Sequence, residues 1–373
     1  MSRRPNALAA FLNDPARLID LLIVFVPIAF GLAALQADPT AVFVTAALGI
    51  IPLAGILGEA TDALAIRAGS QVGALLNATF GNAAELIITI AAIRAGLLDV
   101  VKASITGSII GNVLLVLGLS VLVGGLKNGF QRFNRRTASV AVTTMAIAIV
   151  GLAVPAVFAQ AIESRSDVGV EYLSIGVAVA LMTGYALSLV YSYVGPTVRG
   201  SDKHRRSGPS AVPVGGGSGW SMRRSITILA IAVLFVAALS EVLVDSLEPV
   251  MTERGLTALF VGVIVVPIIG NAAEHVVAVE MALKNKMELA LGVSLGSSMQ
   301  IALFVAPLLV FVSLIAGHPM SLVFNPFELV ALGAAVVIAA LISLDGESNW
   351  LEGAQLLIVY AIFALAFFYL PVP

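Results

Sequence analysis

Phe80-Gly81-Asn82-Ala83-Ala84-Glu85 stands in one apolar stretch of this chain, and Ile269-Gly270-Asn271-Ala272-Ala273-Glu274 stands in another. The five residues Gly-Asn-Ala-Ala-Glu therefore recur at an offset of 189. Glycine and alanine recur easily between apolar helices, but carboxylates are rare at membrane depth. Each glutamate placed there costs about 2.5–3.5 kcal/mol on insertion scales, so two matching placements demand compensation. The surroundings repeat as well. Gly58-Glu59 closes the apolar stretch before the first copy, as Ser240-Glu241 closes the one before the second. A small-residue helix follows each copy, Thr106 to Asn112 and Leu291 to Ser297; aligned on their glycines, these set Ser297 and Gln300 opposite Asn112 and Leu115.

Composition supplies the setting for these copies. The 373 residues are 59% hydrophobic and only 11% charged, against about 25% charged in soluble domains. A water-soluble globular protein and a disordered chain are both excluded. The net charge of -2 and the scattered six Tyr and two Trp offer no surface for nucleic acid. With no cysteine, disulfides, thiolate metal sites and cysteine nucleophiles are absent together. There is no His-Glu-x-x-His, and no nucleophile or catalytic metal set points to an enzyme.

Apolar stretches of about 20 residues span a bilayer as helices. Eleven are found, at 19–36, 41–58, 75–95, 103–124, 138–160, 172–195, 225–244, 256–281, 288–315, 326–343 and 350–370. The first reads as a retained helix rather than a leader, because Leu35 spoils the only late cleavage point, after Ala37. Lys and Arg concentrate on the cytoplasmic side of membrane proteins. With the N-terminus inside, sixteen fall inside and four (Arg94, Lys102, Arg165 and Arg254) outside. Residues 196–224, with six basic residues and the Gly/Ser/Pro-rich run Ser207 to Gly219, read as a flexible cytoplasmic linker, and the C-terminal Pro373 falls outside.

The two copies lie five crossings apart, so their helices run in opposite directions. Inverted repeats of this kind are the recurrent plan of secondary transporters, with the site near the midplane between the halves. The expected fold is an all-α membrane protein of eleven transmembrane helices: residues 1–40 as an N-terminal segment with an extra helix, 41–195 as a first five-helix repeat, the linker 196–224, and 225–373 as a second five-helix repeat.

Asn82 and Glu85 are three residues apart, as are Asn271 and Glu274, so each pair shares one helical face. Gly81 and Gly270 precede them and Pro267 precedes the second, which favours local unwinding; freed carbonyls are tolerated at that depth where they line a cavity or bind a ligand. Close helix packing is the competing reading for Gly107, Gly111, Gly292 and Gly296. Ser297 and Gln300 add two neutral oxygens. Carboxylates, amides and carbonyls suit hard cations, and calcium takes six to eight such oxygens. Two glutamates also balance one divalent charge; sodium remains possible but would leave excess negative charge unless one carboxyl stayed protonated. His275 neighbours Glu274 but points to another helical face, which favours a structural or proton-path role over metal ligation. Glu59 and Glu241 fit a gate or vestibule, with interfacial exposure as the alternative. Glu280 reads as solvated.

These residues, with Leu76-Asn77-Ala78-Thr79-Phe80 before the first copy, His275 after the second and Gly292 to Gln300, resemble the two signature repeats of the calcium/proton exchangers (CAX) of the calcium/cation antiporter superfamily. The resemblance covers nearly the whole chain. It implies that Glu85 and Glu274 bind both the cation and the counter-transported protons, with Asn82, Asn271, Ser297 and Gln300 as neighbours. The extra acidic residues of the sodium/calcium exchangers are missing, and the basic, Gly-rich linker departs from the acidic helix of many family members.

The expected function is exchange of calcium for protons by alternating access. A sodium or potassium/proton antiporter and a passive cation channel are the alternatives. Calcium, protons and the lipid bilayer are the implied partners; no cofactor and no nucleic acid are implied, and nothing specifies an oligomeric state. The Ala-, Val- and Gly-rich composition suits a bacterial inner membrane.

Overall fold

The computed structural model describes residues 19–163, 169–194 and 220–370. The expectations placed on Arg3, Arg4, Arg17, Arg165, Ser207 to Gly219 and Pro373 lie outside the described residues, as does most of 196–224. In chain order the helices are α1 (Leu21–Ala34), α2 (Pro39–Gly69), α3 (70–80), α4 (Ala83–Arg94), α5 (Leu98–Asn128), α6 (Arg135–Glu163), α7 (Gly169–Val194), α8 (Met222–Arg254), α9 (Ala258–Gly270), α10 (Ala272–Leu283), α11 (Met287–Ile315), α12 (Pro326–Ile342) and α13 (Trp350–Tyr369). Two short strands, β1 (Gln131–Arg132) and β2 (Glu347–Ser348), pair antiparallel and tie the loop after α5 to the loop after α12.

Among the described residues, seven helices are long and apolar enough to cross a bilayer, or eight if the bent pair α9 and α10 forms one span. The chain is a multi-pass membrane protein. The count of eleven is reached only by adding the shorter apolar helices α1 and α12 and by joining α3 to α4.

Local chemistry sets the helix ends. Asp38 accepts from Ala41 N at 2.9 Å, with Pro39 in the first helical position of α2. Asn325 with Glu328 and Asn349 with Glu352 form capping boxes at α12 and α13. Gly69 (φ 82°) ends α2 in a backbone conformation that L side chains rarely adopt. Helix α2 thus runs ten residues beyond Glu59, and α8 runs thirteen beyond Glu241. Neither glutamate is at a helix end, as the apolar stretches suggested: a charge ends an apolar window without ending the helix.

Two apolar cores divide the bundle. One joins α1, α2 and α8, with Ala29, Ile50, Leu57, Val236, Leu239 and Leu243 fully buried. The larger one joins α5, α6, α7, α11, α12 and α13 around Ile109, Leu114, Met145, Ala302 and Leu332. Helix α4 bridges them, with Ala83, Ala84 and Ile88 in the first core and Ala91 to Ile93 in the second. Arg254 Nη2 donates to Thr40 Oγ1 at 3.1 Å, tying the end of α8 to the start of α2. Where α5 crosses α9, a Cβ at Gly107 would collide with the Val263 carbonyl and the Pro267 ring, and one at Gly262 would collide with Ala103. Close packing therefore accounts for Gly107, whereas a Cβ at Gly111 would meet nothing within 4 Å.

Candidate functional site

Two helix breaks build the site. Asn82 (φ -100°, ψ 24°) separates α3 from α4, and Asn271 (φ -104°, ψ 9°) separates α9 from α10 at a bend of 63°. Both asparagines occupy the sparsely populated bridge region. Each break leaves a helix N-terminus inside the protein, and Glu85 and Glu274 lie in the first turns of α4 and α10. A negative charge there is favoured by the helix dipole. A Cβ at Gly270 would lie 3.5 Å from the Glu85 Cα and Cβ, in ordinary van der Waals contact, so the end of α9 lies against Glu85. Glu85 and Glu274 are close enough to be electrostatic neighbours.

Buried hydrogen bonds cross between the halves. Asn82 Nδ2 donates to Gln300 Oε1 at 2.8 Å, and Ser297 Oγ donates to Asn82 Oδ1 at 3.1 Å. Asn112 Nδ2 donates to Ser297 Oγ at 3.0 Å, and the Ser108 hydroxyl donates to Glu85 Oε1. Ser297 also lies against the Glu274 carboxyl. Glu85 Oε2, Glu274 Oε2, Asn112 Oδ1 and Asn271 Nδ2 are shielded from solvent without a hydrogen-bond partner among the described residues. Most buried polar atoms in proteins are paired, so their concentration here is unusual. No group of three or more His, Asp or Glu is placed to hold a metal among the described residues. Any cation held here must draw on amides, hydroxyls and carbonyls as well as on the carboxylates.

A cavity of about 350 Å³ reaches this point. Its lining includes Gly81, Gly270, Glu274, Ser297 and Gln300 together with the acidic residues Asp20, Glu59, Asp62 and Glu280. Glu85, Asn82 and Asn271 are 2%, 3% and 3% exposed and are not part of that wall. The two matching glutamates are therefore unequal here: Glu274 faces the cavity and Glu85 is shut away. His275 is likewise not in the wall. Glu59 lines the cavity, whereas Glu241 pairs with Arg94 at 2.6 Å. Glu280, expected to be merely solvated, lines the cavity and pairs with Lys284 on its own helix.

Ser108 and Asn112 were not singled out by the sequence. The glycine alignment set Asn112 and Leu115 opposite Ser297 and Gln300; the packing contradicts it, because Ser108 serves Glu85 as Ser297 serves Glu274. The offset of 189 that relates the glutamates also carries Ser108 onto Ser297, and extending it would have found this residue. The same offset relates two π-helical segments, Gly111–Val116 in α5 and Ile301–Val305 in α11, a distortion that often marks functional sites. One further motif carries no chemistry. Gly292-Val293-Ser294-Leu295-Gly296 has the spacing of a nucleophile elbow, but it lies inside continuous helix with Ser294 fully buried, not at a strand-to-helix turn.

Comparison with known proteins adds a second line of evidence. The profile of the sodium/calcium exchanger protein family matches residues 39–194 and 224–369. A Ca2+/H+ antiporter of Aphanothece halophytica is 46% identical over 359 residues, covering 94% of this chain and 96% of that protein. A Ca2+/H+ antiporter of Synechocystis sp. is 45% identical over 96% of this chain and 99% of its own length. Among solved structures, the Ca2+/H+ antiporter protein YfkE superposes with a TM-score of 0.81 at 39% identity, over 95% of this chain and all of that one.

Proposed function

This chain belongs to the sodium/calcium exchanger protein family, and we propose that it exchanges calcium for protons across a membrane. Glu85 and Glu274 are the alternating ligands, with Asn82, Asn271, Ser297, Gln300, Ser108 and Asn112 around them and carbonyls near Gly81 and Gly270 in reach. The reading is that of a transporter and not an enzyme. It is supported by the likeness to the Ca2+/H+ antiporters along nearly their whole length. The observation that carries the site is the pair of carboxylates, each with one shielded oxygen that has no hydrogen-bond partner among the described residues, where the cavity ends between the two helix breaks.

Eleven crossings are proposed, with 41–195 and 225–373 as inverted repeats, 1–40 as an added segment and 196–224 as a cytoplasmic linker. The matched backbone at Asn82 and Asn271 and the matched π segments support that division. In the orientation given by the basic residues, the cavity opens to the cytoplasm, in a bacterial inner membrane.

Coupling follows from charge. Two ionised carboxylates out of water are unstable alone, and either one calcium or two protons neutralise them. A neutral site crosses between inward- and outward-facing forms without carrying bare charge through low dielectric, whereas the empty dicarboxylate does not, so leakage is suppressed. His275, half-buried next to Glu274, remains available to the proton path. In the state described, Asn82 is engaged by Gln300 and Ser297 and Glu85 by Ser108, so a cation drawing on the Asn82 and Glu85 oxygens competes with these hydrogen bonds.

The test is flux in proteoliposomes under an imposed pH gradient, with calcium, manganese, sodium and potassium compared. Calcium movement driven by protons is expected. Calcium flux indifferent to the gradient would favour a channel, and sodium- or potassium-driven proton movement without calcium movement would favour the monovalent antiporter.

A further inference from the structure

The cavity opens the site toward Glu59 and Glu280, whereas Arg94 and Glu241 have no part in its lining and stand on a side closed off from it. On the closed side, Arg94 Nη1 meets Glu241 Oε1 at 2.6 Å and joins the last turn of α4 to α8. The turn before Arg94 is packed into the larger core by Ala91 to Ile93, whereas the buried apolar residues of α8 lie in the core of α1 and α2, apart from Val244 in the larger one. The ion pair thus fastens one packing group to the other. Arg254 and Thr40 hold α8 to α2 within the smaller group.

The inverted relation supplies the counterparts on the open side. Glu59 matches Glu241, each following a small residue in its long helix, and the offset of 189 carries Arg94 onto Leu283, next to Lys284. Lys284 ends α10, whose Ala282 lies in the larger core, and Glu59 stands in α2 in the smaller group. These counterparts are apart here: Glu59 lines the cavity, and Lys284 is turned back onto Glu280 of its own helix. Asp20 and Arg224 are also near Glu59, and Asp62, one turn along α2, lines the same cavity.

We propose that Arg94 and Lys284 are positioning residues that act as reciprocal latches: Arg94 on Glu241 holds the outer side shut while the inner side is open, and Lys284 transfers from Glu280 to Glu59 when the inner side closes. One latch is made as the other is broken, so the pair biases α1, α2 and α8 toward either of two positions and away from one open to both sides. This inference rests on the inverted-repeat, alternating-access reading above.

The chain has no cysteine, so a single introduced one reports cleanly. Gly55 lines the cavity, and a Cβ there meets nothing within 4 Å. Labelling of Gly55→Cys by a water-soluble maleimide therefore measures the population open to the inner side. Exposed ion pairs bias such an equilibrium modestly, by about twofold to fivefold. Arg94→Ala should lower the labelling rate by that factor, Lys284→Ala should raise it, and the swap Arg94→Glu with Glu241→Arg should restore it. Opposite signs are diagnostic, because general loosening would move both single variants the same way. Equal signs, or no change in either, would overturn the latches while leaving alternating access intact. If labelling of Gly55→Cys alone is the same in calcium at alkaline pH and without calcium at acid pH, the alternating-access reading falls and the latches with it.

Discussion

Ser108→Ala removes a single oxygen next to Glu85, and its effect can be worked through. The Ser108 hydroxyl donates to Glu85 Oε1, and both residues are buried. A hydrogen bond to a charged group contributes about 1.5–3 kcal/mol, and one between neutral groups about 0.5–1.5 kcal/mol. Losing the donor therefore penalises ionised Glu85 by roughly 1–1.5 kcal/mol more than protonated Glu85. At about 1.36 kcal/mol per pH unit, this amounts to roughly one unit. The sign is fixed. The donor favours the charged form, so without it Glu85 keeps its proton to a more alkaline pH, and the midpoint of calcium binding against pH moves up. Calcium titrations of purified protein over a pH series would measure that midpoint. Ser120→Ala is the control, since it removes another fully buried hydroxyl from α5 that has no carboxylate partner. A midpoint unmoved in Ser108→Ala, or moved equally in both variants, would refute the assignment of Glu85 as a group whose proton calcium must displace.

Glu85→Gln and Glu274→Gln should each abolish calcium-driven proton movement in everted vesicles, whereas Glu280→Gln, which removes only a partly exposed pair, should lose about twofold or less; activity surviving in either central variant would break the shared-site account. Gly107→Val should destabilise the protein by about 1–3 kcal/mol through overpacking against Val263 and Pro267, while Gly111→Ala should be tolerated; thermal melting in detergent separates the two. Asn325→Ala removes the capping box of α12 and should cost about 1 kcal/mol of stability without changing the pH dependence of transport, so a changed pH profile would show that α12 takes part in proton movement.

Much of the site was legible because the membrane makes polar residues conspicuous. Asn82, Glu85, Asn271 and Glu274 stand out against alanine and glycine, and both helix breaks fall at the Gly-Asn steps where unwinding was expected. Ser297 and Gln300 were found by spacing and do meet Asn82. Ser108 was missed because a serine in a small-residue helix looks like packing material until the other half supplies its register. The full lengths of α2 and α8 were missed because a carboxylate, whether it lines a cavity as Glu59 does or pairs with Arg94 as Glu241 does, interrupts hydropathy but leaves backbone hydrogen bonding intact. The inequality of Glu85 and Glu274 could not be read from two identical Gly-Asn-Ala-Ala-Glu copies, since it comes from how the surrounding helices pack around each. Glu241 illustrates the same limit: its sequence context matches that of Glu59, yet one is bound by Arg94 while the other lines a cavity.

The claim that calcium and protons compete for the same two carboxylates is tested most directly by calorimetric calcium titration of the purified protein in two buffers of different ionisation enthalpy. The dependence of the heat on the buffer counts the protons set free per calcium bound. Calcium affinity should be weak at acid pH and should strengthen as pH rises through the titration of the metal-free site, with protons released on binding across that window and fewer released above it. Glu85→Gln and Glu274→Gln should each lose that release together with tight binding. Calcium binding of equal strength at acid and alkaline pH, with heats independent of the buffer, would contradict the account.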